Sequence, residues 1–268
     1  MKRVKARVVP VATLTKVTQE QMYAIFSKYY NGVSWDQFLR DLTEKHDVII
    51  LVDSSKNLIC GFSTLLWKYS IVNEKKVLGV FSGDTILERE YWGNPALGIK
   101  FLIYLFVLKL KNPFTPVYWF LISKGYKTYL LMAKNFPFSY PDYRRETPHF
   151  EKKLMEQYYS ERLGSCYDPT TGIISYGDKE TCRLKAAVPP ITDEMKKRSP
   201  EIAYFENLNP YWNQGEELAC LAKMTLGMPF RYFFKKMIWR RVTQIPNKPI
   251  GTLSPSRDES QAKSSVQI

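Results

Sequence analysis

Histidine is almost absent from this chain: 268 residues hold His46 and His149 and no other. Cysteine is scarce too, with Cys60, Cys166, Cys182 and Cys220 showing no CxxC spacing and no histidine neighbour. That excludes a zinc site built on His and Cys, and no metal is expected. It leaves reduced thiols as the default, which fits a cytoplasmic protein. No serine elbow or Cys–His pair stands out, so a covalent enzyme intermediate is not expected. The longest apolar run, Phe101–Leu108, falls far short of the roughly 20 residues a membrane span needs. The first residues lack the apolar region of a signal peptide, so the chain reads as soluble, or peripheral at a membrane. No internal repeat is evident.

What is present is a large aromatic share, 15% with 18 tyrosines, and a formal charge of +13. Aromatics of this number can fill a large core. The positive excess sits at the ends. Residues 1–16 carry Lys2, Arg3, Lys5, Arg7 and Lys16 without an acid, and Arg231, Lys235, Lys236, Arg240, Arg241 and Lys248 lie near the other end. Such a surface attracts nucleic acid, anionic lipid, a phosphorylated ligand or an acidic carrier protein, or it simply keeps the protein soluble.

The pattern predicts a strand over Lys5–Leu14. A capping box of Thr18 and Gln21 then opens a helix to about Tyr30, and Ser34 caps a second from Trp35 to about Lys45. Val48–Val52 and Leu58–Trp67 form a hairpin around the polar turn Asp53–Asn57. Val77–Leu87 is a further strand, followed by a glycine turn and a long apolar helix opened by Asn94 and Pro95. A strand at Val117–Ile122 and a helix from Gly125 to about Lys134 follow. Beyond Phe136 the expected elements are a helix near Pro148–Leu163, a loop around YDPTTG, and short strands at Gly172–Tyr176 and Arg183–Val188. Helices are expected at Thr192–Lys197, Gln214–Ala222 and Pro229–Arg241. From Pro246 on, the sequence is Ser-, Pro- and charge-rich and reads as disordered. The order gives an α/β fold with a mixed, mostly antiparallel central sheet flanked by helices, and a helical or irregular C-terminal extension.

The strand–turn–helix at 77–111 is the informative stretch. Free N–H groups and the helix dipole make such a helix start an anion site, and Gly93 and Gly98 leave room for a ligand. This element order resembles the GCN5-related N-acetyltransferase (GNAT) superfamily over about Lys5–Lys134. The family's Arg/Gln-x-x-Gly-x-Gly/Ala turn corresponds to Glu90-Tyr91-Trp92-Gly93-Asn94-Pro95-Ala96, or to a shifted version through Gly98, without the basic first residue and the second glycine. Asn135–Arg241 resembles the accessory half of a GNAT-like set whose members share a GYKTY-like stretch after the fifth strand, here Gly125–Tyr129, and an NP-x-x-x-x-G-[DE]-E-L stretch downstream, here Asn209–Leu218. Relatives of this kind include enzymes that place fatty acyl groups on amines, some on lysine or ornithine side chains of peptides.

The resemblance implies a donor-binding core at 1–134, an accessory half at 135–245 that completes the acceptor or acyl pocket, and a tail at 246–268. It also implies an acyl-CoA or acyl-phosphopantetheine donor held by Tyr91, Trp92, Gly93, Asn94, Ala96 and Gly98, with the backbone of Ile86 and Leu87 beside the thioester. Acyl transfer needs the amine deprotonated. Glu88, at the junction of strand and turn, is the first choice as base; Asp84, four residues earlier and on the same face of a regular strand, could bind a cationic acceptor. Surface charge is the plain alternative for Glu88. Tyr126 and Tyr129 are candidates to protonate the leaving thiolate, although packing is the commoner use of tyrosine. Ser123 reads as a polar partner or a strand-end cap, and Lys124 and Lys127 as phosphate contacts or a solvated face.

The nearly all-apolar helix at 101–108, with Phe136, Phe138, Tyr140 and Tyr143 as tunnel walls, favours a fatty over an acetyl group. Phe230–Arg241, FRYFFKKMIWRR, mixes aromatics and bases and suits an acyl carrier protein, a membrane surface or docking on the core. The competing reading is a non-catalytic basic GNAT-like module on nucleic acid or a membrane. It lacks an RNA-recognition signature.

Overall fold

The computed structural model describes residues 3–30, 32–176 and 190–228. The expected strand Arg183–Val188, the segment Phe230–Arg241, the tail and Cys182 lie outside these residues. The elements are β1 Val4–Pro10, α1 Lys16–Tyr29, α2 Trp35–Thr43, β2 Asp47–Asp53, β3 Leu58–Val72, β4 Lys75–Leu87, α3 Ala96–Lys111, β5 Val117–Ser123 and α4 Tyr126–Asn135. They continue as β6 Ser139–Tyr140, α5 His149–Leu163, β7 Ile173–Ile174, α6 Asp193–Arg198, α7 Pro200–Leu208 and β8 Glu217–Met224. Among the described residues one sheet holds all eight strands in the order β1-β2-β3-β4-β5-β8-β6, with β7 also on β8. Every pair is antiparallel except β4–β5. This is the mixed, mostly antiparallel GNAT-like sheet expected.

Local signals place the first elements. Ser34 Oγ accepts the Gln37 N–H at 3.2 Å, as an N-cap should. The first helix is capped earlier than the sequence suggests. Thr15, extended at φ −72° and ψ 154°, accepts the Thr18 N–H, and α1 begins at Lys16 rather than after Thr18. Gln21, the other half of the expected box, instead takes the Ile59 N–H at 3.2 Å and ties α1 to β3. β1 stops at Pro10, where a short 3-10 turn over Val11–Thr13 replaces the expected continuation to Leu14. The β3–β4 turn puts Asn73 and Glu74 at φ 46° and 62°, the left-handed pair that a tight hairpin requires.

The helix expected at Gln214–Ala222 is β8. Its Ala, Leu and Glu favour helix, but the strand lies between β5 and β6/β7 with helices over both faces, and burial overrides propensity. Leu218, Cys220, Ala222 and Met224 join one cluster, and Ala219 and Leu221 the other, so the period is two. α7, for which the pattern gave no signal, starts with Pro200 at its first position.

Both sheet faces are covered. α3, α4 and α7 pack on one face over a core that includes Leu65, Val80, Leu105, Trp119 and Phe205. The other face is divided: α1 and α2 cover Val48, Ile50, Phe62 and Ile86, while α5 covers Phe81, Phe120 and Leu221. Phe136 belongs to the first face and Tyr140 to the α5 side of the second, and Phe138 and Tyr143 are partly exposed outside both cores, so these four aromatics do not gather around one space.

Candidate active site

The parallel β4–β5 ladder runs from Leu78–Val117 to Phe81–Phe120 and stops. β5 stays paired with β8 through Ser123, while β4 continues to Leu87 beside β3 alone. The parting has a local cause. Between the pairs Ser63–Thr85 and Leu65–Ser82, β3 supplies only Thr64 against Gly83 and Asp84 of β4. Such a bulge bends and twists the strand that carries the extra residue. Gly83 is needed there, because an added Cβ would lie 2.5 Å from Thr64 Oγ1 and 3.4 Å from Lys45 Cε. A wedge therefore opens between β4 and β5, floored by the Trp119 Nε1–Ser82 Oγ hydrogen bond of 2.8 Å.

Charged groups from four elements meet at the wedge. Asp84 sits in the bulge, half-buried. Burial pushes its carboxyl above the usual carboxylate range, and Lys45 and Lys124 pull it partly back. Lys45 follows α2 and has only 6% of its side chain exposed; burial and the nearby Arg162 guanidinium hold its ammonium below the usual range. Its Nζ donates to the Asp41 carbonyl at 2.8 Å. Lys124, just past β5, pairs with Glu217 of β8 at 3.1 Å. Burial raises the Glu217 carboxyl as well, against the pull of Lys124. Sequence reasoning missed Glu217 because it assigned 214–222 to a helix, and missed Lys45 because nothing local marks it. A glycine next to an acid inside a strand pattern is the signal that could have revealed the bulge.

Glu88 is placed differently. It lies beyond the end of β4, where its carboxylate holds Lys28 of α1 at 2.5 Å and its N–H donates to the Cys60 carbonyl. Asp84 has Lys45, Asp41 and Lys124 as charged neighbours, whereas the ion-pair partner of Glu88 is Lys28 of α1. Ile86 is buried under α1 and α2 and turns its carbonyl toward Gly61 of β3, so its backbone lies in the β3 ladder. Leu87 faces the open side, and its carbonyl takes the Trp92 indole N–H at 2.7 Å.

The turn into α3 is anchored by Tyr91, whose buried hydroxyl donates to Asp53 at the end of β2. Trp92 is 60% exposed, with the Arg89 guanidinium 5.8 Å from its ring. Gly93 has φ +80°, and Asn94 Oδ1 accepts the Ala96 N–H at 3.0 Å. A Cβ added at Gly93 or Gly98 would meet no atom within 4 Å, and no acid lies in the first turn of α3. The first-turn N–H groups of a helix lack intrahelical partners. Leu97 and Gly98 thus offer donors at an open, acid-free helix start, a fit for a phosphate-bearing ligand.

Tyr126 opens α4 and is buried against Trp212. Tyr129 is buried one turn on and donates to the Pro141 carbonyl at 3.0 Å; burial pushes its hydroxyl pKa far up. Ser123 donates to the Gly125 carbonyl, as a strand-end cap. Lys124 pairs with Glu217 and lowers the Asp84 carboxyl through its charge, rather than standing free.

No family model and no curated protein matches the sequence. Among solved structures, similarity is found to a conserved Enterococcus faecalis V583 protein named a probable N-acyltransferase, at 12% identity and TM-score 0.38, over 50% of this chain and 33% of that one. A Trypanosoma brucei acetyltransferase is similar at 13% identity and TM-score 0.36, over 55% of this chain and 98% of that one. An Escherichia coli GNAT family N-acetyltransferase in complex with CoA is similar at 12% and 0.32, over 46% and 64%. The chain thus spans about a third of the Enterococcus protein's length. The GNAT-like fold rests on this chain's own strand order, the parting of β4 from β5, and α3 starting beside the wedge.

Proposed function

We propose that the protein is an N-acyltransferase that moves an acyl group from a coenzyme A thioester to a primary amine at the β4–β5 wedge. The observation that carries this reading is Asp84, a carboxyl raised by burial and set by a bulge where the strands part. A base with a raised pKa takes a proton from an attacking amine more effectively near neutral pH than an ordinary carboxylate does. The open first turn of α3 suits the donor's diphosphate. The free edge of β4 beyond residue 82 offers backbone N–H groups to the thioester carbonyl as charge develops on it.

In this scheme the amine attacks the carbonyl carbon directly, Asp84 receives its proton, and Tyr126 gives a proton to the departing thiolate. Glu88 fastens α1 to the turn through Lys28 instead of acting as base. Arg162 of α5 and Glu217 of β8 complete the acceptor side. A lysine or ornithine side chain is the proposed acceptor, and a fatty acyl group or a carrier-protein donor is an extension that the same assay reads.

The test is thiol release from acetyl-, octanoyl- and palmitoyl-CoA and from an acyl carrier thioester, with lysine, ornithine and lysine peptides as acceptors and mass spectrometry of the amide. Amine-dependent release with an amide product is expected. No such release with any donor, together with salt-dependent nucleic-acid binding, would establish the basic binding module instead.

A further inference from the structure

Tyr69, Leu78, Val117 and Met224 stand in one row across β3, β4, β5 and β8, at the end of the sheet away from the wedge. Beyond that row two turns protrude. Ile71, beside the β3–β4 turn, is 69% exposed, and Phe114, in the α3–β5 loop, is 98% exposed. Leu110, near the end of α3, and Tyr69, two residues before Ile71, are also exposed. The two turns are fastened together: Tyr69 Oη donates to Asn112 Oδ1 at 2.7 Å. The loop is itself pinned, because Lys109 Nζ donates to the carbonyls of Asn112, Pro113 and Thr115 at 3.4, 2.8 and 3.0 Å. Phe114 is thus held out into solvent by a built loop.

Lysines rim the patch. Lys75, Lys76 and Lys111 are exposed, and Lys76 Nζ lies 4.2 Å from the Tyr69 ring centroid. Glu74 is the single acid in residues 69–76 and 107–116. Apolar side chains projecting from convex tips, with cations around them, match the boundary between acyl chains and anionic headgroups. We propose that this end of the molecule docks on an anionic bilayer surface. A second copy is disfavoured as the cover, since a two-fold contact would set lysines against lysines. The chain's own segment 230–241 carries the same sign of charge and is disfavoured for the same reason. No helix among the described residues is long and apolar enough to cross a membrane, so this is a surface contact. α3, with 16 residues, spans about 24 Å from this end to the wedge. The wedge then stays open to water while the opposite end is docked.

The test is flotation of the full chain with phosphatidylcholine vesicles, with and without phosphatidylglycerol. Binding to the anionic vesicles, weakened by salt, is expected, together with a partition about tenfold lower or more for the Phe114→Asp, Ile71→Asp double variant. Both positions are exposed, so circular dichroism and the melting temperature should match wild type. Absence of flotation, or wild-type flotation by the double variant, overturns the proposal. So does a change of oligomeric state in the double variant without any vesicle binding, which would assign the patch to a second copy.

Discussion

Asp84→Asn should lower kcat by about two to four orders of magnitude, the usual worth of a general base. It should leave the melting temperature at neutral pH unchanged or higher. The sign follows from burial. The folded-state pKa of Asp84 is raised, so the stability linked to its protonated form is complete below the unfolded pKa and is lost as pH rises through the folded one. At neutral pH the buried carboxylate is a cost that Lys45 and Lys124 only partly offset, and asparagine removes it. The rising limb of kcat/KM against pH should lie above the ordinary carboxylate range and vanish in the variant. Glu88→Gln, which breaks an ion pair with a largely exposed Lys28, should cost no more than about 1 kcal/mol of stability and little turnover. A Glu88→Gln enzyme as damaged as Asp84→Asn would return the role of base to Glu88.

Tyr159→Phe is expected to be the costliest loss of one oxygen atom outside the wedge. Its ring is wholly buried, and its hydroxyl accepts the Leu121 N–H at 3.1 Å. The same hydroxyl shares its hydrogen between the carbonyls of Cys220, at 2.7 Å, and Leu121, at 3.0 Å. Leu121 and Cys220 are a β5–β8 pair one step past the last β4–β5 pair, so α5 braces the sheet at the level where the wedge opens. Removing the oxygen takes these hydrogen bonds away and leaves Leu121 and Cys220 with only each other in the ladder, a loss of about 0.5–1.5 kcal/mol per hydrogen bond, or several degrees in melting temperature for a domain of this size. Urea denaturation of the two proteins measures it. A loss below about 0.5 kcal/mol would mean that these backbone groups find other partners.

The parts of this fold written in local pattern were legible. Ser34, the Asn94–Pro95 opening of α3 and the apolar runs of β2, β4 and β5 each act within a few residues of themselves. What failed depends on distant chain. β8 reads as helix by its Ala and Leu and becomes a strand only because β5, β6 and β7 line it. Thr15 rather than Thr18 is the cap, and Gln21 is taken up by Ile59 on β3, a partner 38 residues away. The site divides in the same way. Asp84 and the glycine turn could be named from sequence. Lys45, beside Asp84, and Glu217, paired with Lys124, lie more than 100 residues apart along the chain and reach this site only through the sheet.

The most direct test of the wedge as an acyl-donor site uses Gly98, where an added Cβ meets no atom of a neighbouring element within 4 Å. Gly98→Leu fills the proposed phosphate cradle, and a glycine replaced within a helix should leave the free protein at least as stable. The melting temperature of each protein is measured with and without CoA thioesters from acetyl to palmitoyl. A ligand that binds only the folded state raises it. The account predicts a clear rise for wild type, and a Gly98→Leu protein that melts no lower on its own and no longer responds. No rise in wild type with any thioester, or an undiminished rise in Gly98→Leu, would contradict it.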